Sequence, residues 1–225
     1  MTTRSTLDEL DARIAARSIL QHPFYRAWSA GTLTRDDLAV YARVYYPHVA
    51  AFPEYLRAAA ERAELPGVRD ELLDNLREEE SVPRPHAELW LAFAAAVGAD
   101  PAAVRAAAPA PAAGETVEEF RRLANGSTAA ALAALYAYES QQPEVSRQKE
   151  AGLHERYGVA EAEALSYFTV HSEADLRHRE GERRAIALCL EAGASADEVL
   201  TAADGALDAY WSLLDGVAAE IGLAA

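Results

Sequence analysis

Two imidazoles and a carboxylate, His171, Asp175 and His178, fall within one helical stretch. At about 100° per residue, Asp175 sits about 40° from His171 and His178 about 20° to the other side, so all three leave one stripe. That composition suits iron, manganese or zinc. A solvated polar face is the competing reading, because Glu173, Arg177, Arg179 and Glu180 are neighbours. A second segment runs Glu78-Glu79-Glu80, turns through Pro83 and Pro85, and reaches His86. It brings a carboxylate and an imidazole to one helix junction, although a charged helix end with a surface histidine would read the same way. The third piece is Glu139, which follows an uncharged run from Ser127. A lone carboxylate in a buried helix is costly unless it is paired or holds a cation. Three carboxylates and three histidines on separate helices match a carboxylate-bridged dinuclear iron or manganese site in a helical bundle. The repeated Glu-x-x-His of the ferritin type is absent.

The elements that must position these residues read as helical almost throughout. Ala, Leu, Glu and Arg dominate, and Val, Ile and Thr are too scattered for alternating strands. Ser5 to Glu9 reads as a capping box opening a helix to about Ser18. His22 to Ala30 forms a short segment that stops at Gly31, and Thr34 caps a long helix into the low sixties. Further helices are expected over 68–80 and 84–97, and a short one from Asp100-Pro101. Ala107 to Gly114 reads as a loop within one domain covering 1–225. Thr116 and then Ser127 or Thr128 cap the next two helices; the second bends near Pro143 and resumes to about Tyr157. Ala160 to His178, Glu180 to Glu191 and Asp197 to Ile221 complete the chain.

Composition bounds the function. The chain has 225 residues, a net charge of -15 and 51% hydrophobic residues, which points to a folded protein with a sizeable core. The acidic balance argues against nucleic acid and against anionic membrane surfaces. The single Cys189 sits in an apolar run, so no internal disulfide or Cys-rich metal site forms and an activated thiol nucleophile is not expected. No signal core or membrane span is evident, and a cytoplasmic location is expected. Of the 21 basic residues, Lys149 is the only lysine. A lysine amine can lose its proton when buried, whereas arginine stays charged. His22 is expected to cap a turn, His48 to line a pocket and His154 to face solvent.

Glu-x6-His, then Glu, then His-x3-Asp-x2-His resembles the haem-oxygenase-like di-metal oxidases. The likeness is closest to the CADD branch (chlamydial protein associating with death domains) and more distant to thiaminase-II-like and pyrroloquinoline-quinone-synthase-like proteins. The matching stretches are His22-Pro23-Phe24-Tyr25, Tyr41 to Tyr46, His86 to Trp90, Tyr138 to Gln141 and His171 to His178. The resemblance implies an all-α, haem-oxygenase-like bundle of seven to eight helices. It implies six ligands, Glu79, His86, Glu139, His171, Asp175 and His178, for two metals (Fe/Fe or Fe/Mn), where spacing from His86 selects Glu79 over Glu78 and Glu80.

The same resemblance implies an O2-dependent oxidase of folate biosynthesis that makes 4-aminobenzoate from its own tyrosine, with an external reductant and a homodimeric state. The consumed tyrosine falls on Tyr25, the amino-donor lysine on Lys149 and the second tyrosine of the set on Tyr41; Tyr138 and Tyr167 are further family aromatics. One alternative keeps the six ligands but oxidises an external fatty acid or amino acid. Another is a non-catalytic interaction protein that binds a partner through its acidic surface.

Overall fold

The run after Ser127 folds as α8 (Thr128–Glu139), capped by the Ser127 side chain on the Ala130 amide and buried from Ala129 to Glu139. Alanine at every other position or so lets neighbouring helices come close, and Glu139 is the only charge the helix carries. Around it pack α11 (Ala196–Glu220), α10 (Ala162–Glu191), α7 (Pro111–Ala124) and α3 (Arg35–Arg62). The structure is a computed structural model that describes residues 1–81 and 83–223. Among those residues every regular element is helical. The remaining helices are α1 (Thr3–Ala16), α2 (Pro23–Ala30), α4 (Pro66–Ser81), α5 (His86–Ala96), α6 (Pro101–Ala106) and α9 (Gln142–Arg156), with one 3-10 turn at Ile19–Gln21. No helix among them is long and apolar enough to cross a membrane.

The long α3 begins at a capping box in which Thr34 accepts from the Asp37 amide and Asp37 accepts in return. Its Tyr41, Tyr45, His48, Phe52 and Tyr55 recur at spacings of three and four, so one aromatic stripe faces the core. Pro47 and Pro53 lie inside this helix. Each removes one backbone donor, yet the helix continues, because tertiary packing of the stripe outweighs local propensity.

Several boundaries differ from the pattern read from sequence. The first capping box uses Thr2 and Ser5, so α1 starts at Thr3 and ends before Ser18. Helix α7 starts at Pro111, taking in Gly114, because proline suits the first helical position. Thr116 is therefore inside α7, where its hydroxyl donates to the Ala112 and Ala209 carbonyls. The expected break between His178 and Glu180 does not occur: α10 is one helix of 30 residues. Nothing at Arg179 breaks a helix, and Gly181 alone does not. The chain does break between α8 and α9, next to Pro143.

Candidate metal centre and amine pocket

Helix α10 carries the stripe, and its His171, Asp175 and His178 are all buried. Two groups of buried side chains come together there. Glu79 of α4, His86 of α5 and His171 form one; Glu139 of α8, Asp175 and His178 form the other, with ligand atoms inside each group within 4.8 Å of one another. In the first, Glu79 Oε1 is 2.8 Å from His86 Nδ1 and 3.6 Å from His171 Nε2. In the second, His178 Nδ1 is 3.1 Å from Asp175 and 3.6 Å from Glu139. Of the three adjacent glutamates, only Glu79 turns fully inward. Glu80 pairs with Arg57 at the surface, and Glu78 makes a two-pronged pair with Arg177.

The outer contacts orient these groups. His171 Nδ1 donates to the Tyr167 carbonyl at 2.7 Å, which turns Nε2 toward Glu79. His178 turns Nε2 toward Glu78 at 3.3 Å and Nδ1 toward its own group. Metal-binding histidines are commonly fixed in this way through the second ring nitrogen. The Asn75 side-chain amide donates to both Glu139 oxygens, at 3.1 and 2.9 Å. Sequence reading did not single out Asn75, and a lone amide on an acidic helix carries no spacing signal.

The electrostatics fit cation sites. Burial would raise the Glu79 carboxyl, but His86 and His171 hold it well below the usual range. Burial would lower His178, but the bonds to Asp175 and then Glu139 push it up to about 11. Asp175 is raised, by burial first, with His171 and His178 opposing. Protonated imidazoles thus take the place of a cation among the buried carboxylates. Imidazole and carboxylate donors together suit iron, manganese or zinc. Between the two groups lies a cavity of about 10 Å³, lined by Glu79 and His171, Glu139 and Asp175, and closed by Val49, Phe52, Tyr138 and Tyr167. It has room for about one water-sized molecule.

The other predicted residues form a separate pocket. Lys149 of α9 is 2% exposed, and its amine donates to the Tyr41 hydroxyl at 2.5 Å. It lies 5.2 Å from the centre of the Tyr25 ring and 5.1–5.7 Å from those of Tyr41, Tyr45, Trp90 and Phe168. Among the described residues no carboxylate pairs with it, and burial drops its pKa well below the usual lysine value. The Tyr25 hydroxyl is buried without a hydrogen bond of ordinary geometry, in the field of Tyr210 and Tyr41. Trp90 stands between pocket and metal groups: its ring is 5.4 Å from Tyr41 and 4.8 Å from Tyr167, which in turn lies 4.0 Å from His171. Tyr138 donates to or accepts from Tyr45 at 3.0 Å.

His22 caps α2 through Nδ1. His48 does not line the cavity. It is packed against Phe52, Tyr55, Phe120 and Tyr138 with neither nitrogen hydrogen-bonded, and burial lowers it to about 3. His154 is exposed, and Cys189 is a buried free thiol.

This helical architecture is the haem-oxygenase-like one. It superposes on a protein of haem-oxygenase-like fold from Shewanella denitrificans with a TM-score of 0.81, at 20% identity, covering 96% of this chain and 94% of that one. A CADD-like protein of unknown function from Nostoc punctiforme gives 0.79 at 18% identity, covering 97% of each chain. Residues 39–211 match the family described as iron-containing redox enzymes, and the chain belongs to that family. It is 42% identical over 210 residues to the 4-aminobenzoate synthase of Chlamydia trachomatis serovar D, covering 93% of this chain and 90% of that protein. It is 38% identical over 227 residues to the 4-aminobenzoate synthase of Nitrosomonas europaea, covering 96% and 92%.

Proposed function

We propose that this protein is an O2-dependent di-metal oxidase that forms 4-aminobenzoate from its own Tyr25 side chain, with Lys149 as amino donor and Tyr41 beside it. The observation that carries this reading is the juxtaposition of the chain's only lysine, buried and without a counter-ion among the described residues, with Tyr41 and Tyr25. A depressed pKa leaves its nitrogen lone pair free, which a guanidinium could not offer. The similarity to 4-aminobenzoate synthases along most of the chain supports the same product.

Glu79, His86 and His171 would hold one ion and Glu139, Asp175 and His178 the other, as Fe/Fe or Fe/Mn. Redox metals held there would activate O2 once an external reductant had reduced them. The protein's part is to bind, orient and exclude water. Asn75, Glu78 and the Tyr167 carbonyl hold the ligands in place. Val49 and Phe52 form the apolar wall of the small cavity, which has room for a molecule the size of water or O2. Tyr167, Trp90 and Tyr41 form a contiguous ring series between the metal positions and the pocket. Tyr41 accepts the hydrogen bond that fixes the amine over Tyr25. By kinship with the same family the reading includes a homodimer; the composition favours a cytoplasmic location, and the strong acidity disfavours nucleic-acid or membrane partners.

The test uses the single lysine. Protein grown with lysine labelled by 15N at the ε-nitrogen, loaded with iron and manganese, reduced and exposed to O2, is expected to yield 4-aminobenzoate carrying the label. Intact-mass analysis should show the chain altered at Tyr25 and Lys149, with no more than about one product per chain. Lys149→Arg should form none while binding metal normally. Unlabelled product, or equal product from the Arg variant, would sink the donor role.

A further inference from the structure

Glu182 lies one turn beyond His178 on α10. At about 100° per residue it is offset about 20° from His171, so it continues the stripe of His171, Asp175 and His178. It is 1% exposed; neither carboxylate oxygen makes a hydrogen bond of ordinary geometry, and the side chain faces the Glu139 carboxylate. Its strongest charged neighbours are carboxylates, Glu139 first and then Asp175.

Burying a carboxylate costs several kcal/mol unless something compensates. The other inward carboxylates have compensation: imidazoles for Glu79, the Asn75 amide and His178 for Glu139. The arginines nearest in sequence are engaged elsewhere. Arg183 pairs with Asp11 and Arg184 reaches toward Glu71. Glu182 is therefore a buried acid beside Glu139 and Asp175, with no ion pair of its own among the described residues.

Resting on the di-metal reading above, we propose that Glu182 is a fourth protein ligand of the second metal position, beside Glu139, Asp175 and His178. The two positions then differ in chemistry. The first has one carboxylate and two imidazoles, and the second has three carboxylates and one imidazole. Oxygen-rich sets favour manganese, whereas imidazole also suits iron, so the two positions can sort two ions.

The experiment is a Mn(II) titration of the metal-free full chain, read by the electron paramagnetic resonance of free Mn(II) and by calorimetry. The wild-type chain is expected to take up two ions. Glu182→Gln should keep one and weaken the other at least tenfold. Glu71→Gln, which removes a negative charge behind Gly181 without touching the proposed ligands, should keep both; an equal loss there would show that charge rather than ligation is responsible and overturn the proposal. Gln is isosteric with the neutral carboxyl that burial and Glu139 favour in the metal-free chain, so the metal-free variant should melt close to wild type. Should it fail to fold, wild-type crystals grown with Mn(II) decide the matter: anomalous scattering should place an ion about 2.0–2.3 Å from a Glu182 oxygen. An ion beyond hydrogen-bond distance of Glu182, or two ions bound as tightly by Glu182→Gln as by wild type, would overturn it. Failure of the wild-type chain to bind two ions would instead remove the di-metal reading itself.

Discussion

The amine of Lys149 meets the hydroxyl of Tyr41 inside an aromatic box, and that is its one hydrogen bond among the described residues. A buried amine left with no partner loses about 1–3 kcal/mol. Tyr41→Phe is therefore expected to lower stability by that amount and to lower the yield of 4-aminobenzoate sharply, with two metals still bound. Thermal melts, metal analysis and product chromatography read the three effects. A wild-type yield from the Phe chain would show that the hydroxyl is idle.

The metal-free ligand cluster makes stability depend on pH. His178 is held at about 11 in the folded chain, against 6.5 for an ordinary histidine. Its contribution is complete below about pH 6.5 and is lost as pH rises through the folded value. The apo protein is therefore expected to melt progressively lower from pH 7 to pH 10, and His178→Gln should flatten part of that slope. Metal binding displaces the same proton, so Mn(II) affinity should rise over that range. A slope identical in His178→Gln would assign it to the general negative charge instead.

Gly152 is the close approach on which the amine pocket rests. A Cβ there would lie 2.6 Å from Trp28 Nε1 and 2.9 Å from Cδ1. Trp28 in turn packs on Phe24 and Tyr41. Replacing a helical glycine by alanine gains up to about 1 kcal/mol of propensity. Overpacking a core typically costs about 1–3 kcal/mol, so the loss outweighs the gain. Gly152→Ala should lower the melting temperature by about 2–4 °C per kcal/mol of net loss. A variant that melts higher would mean that Trp28 yields freely.

Much of the helical layout was legible because alanine, leucine and the caps speak locally. The long α3 was read from its Thr34 cap into the low sixties, and it does continue through two internal prolines. The stripe of His171, Asp175 and His178 is likewise periodic and survives in the structure as one buried face. Glu182 was not legible for a specific reason: reading a break after His178 ended the stripe one turn early. The inward turn of Glu79, rather than Glu78 or Glu80, is a tertiary fact, set by which face of α4 meets α5 and α10. The meeting of Lys149 with Tyr41 and Tyr25 spans three helices, and no local period encodes it. The chain break beside Pro143 further uncouples the lysine from Glu139.

The burial of the only lysine has one more consequence. The described exterior of this protein offers no side-chain amine to acylating agents, aldehydes or reducing sugars. Simple aldehydes that would form a Schiff base with a surface lysine find arginine instead, which stays protonated. Whatever side-chain amine chemistry the chain performs is confined to its interior, where only molecules small enough to pass between helices can compete for the nitrogen.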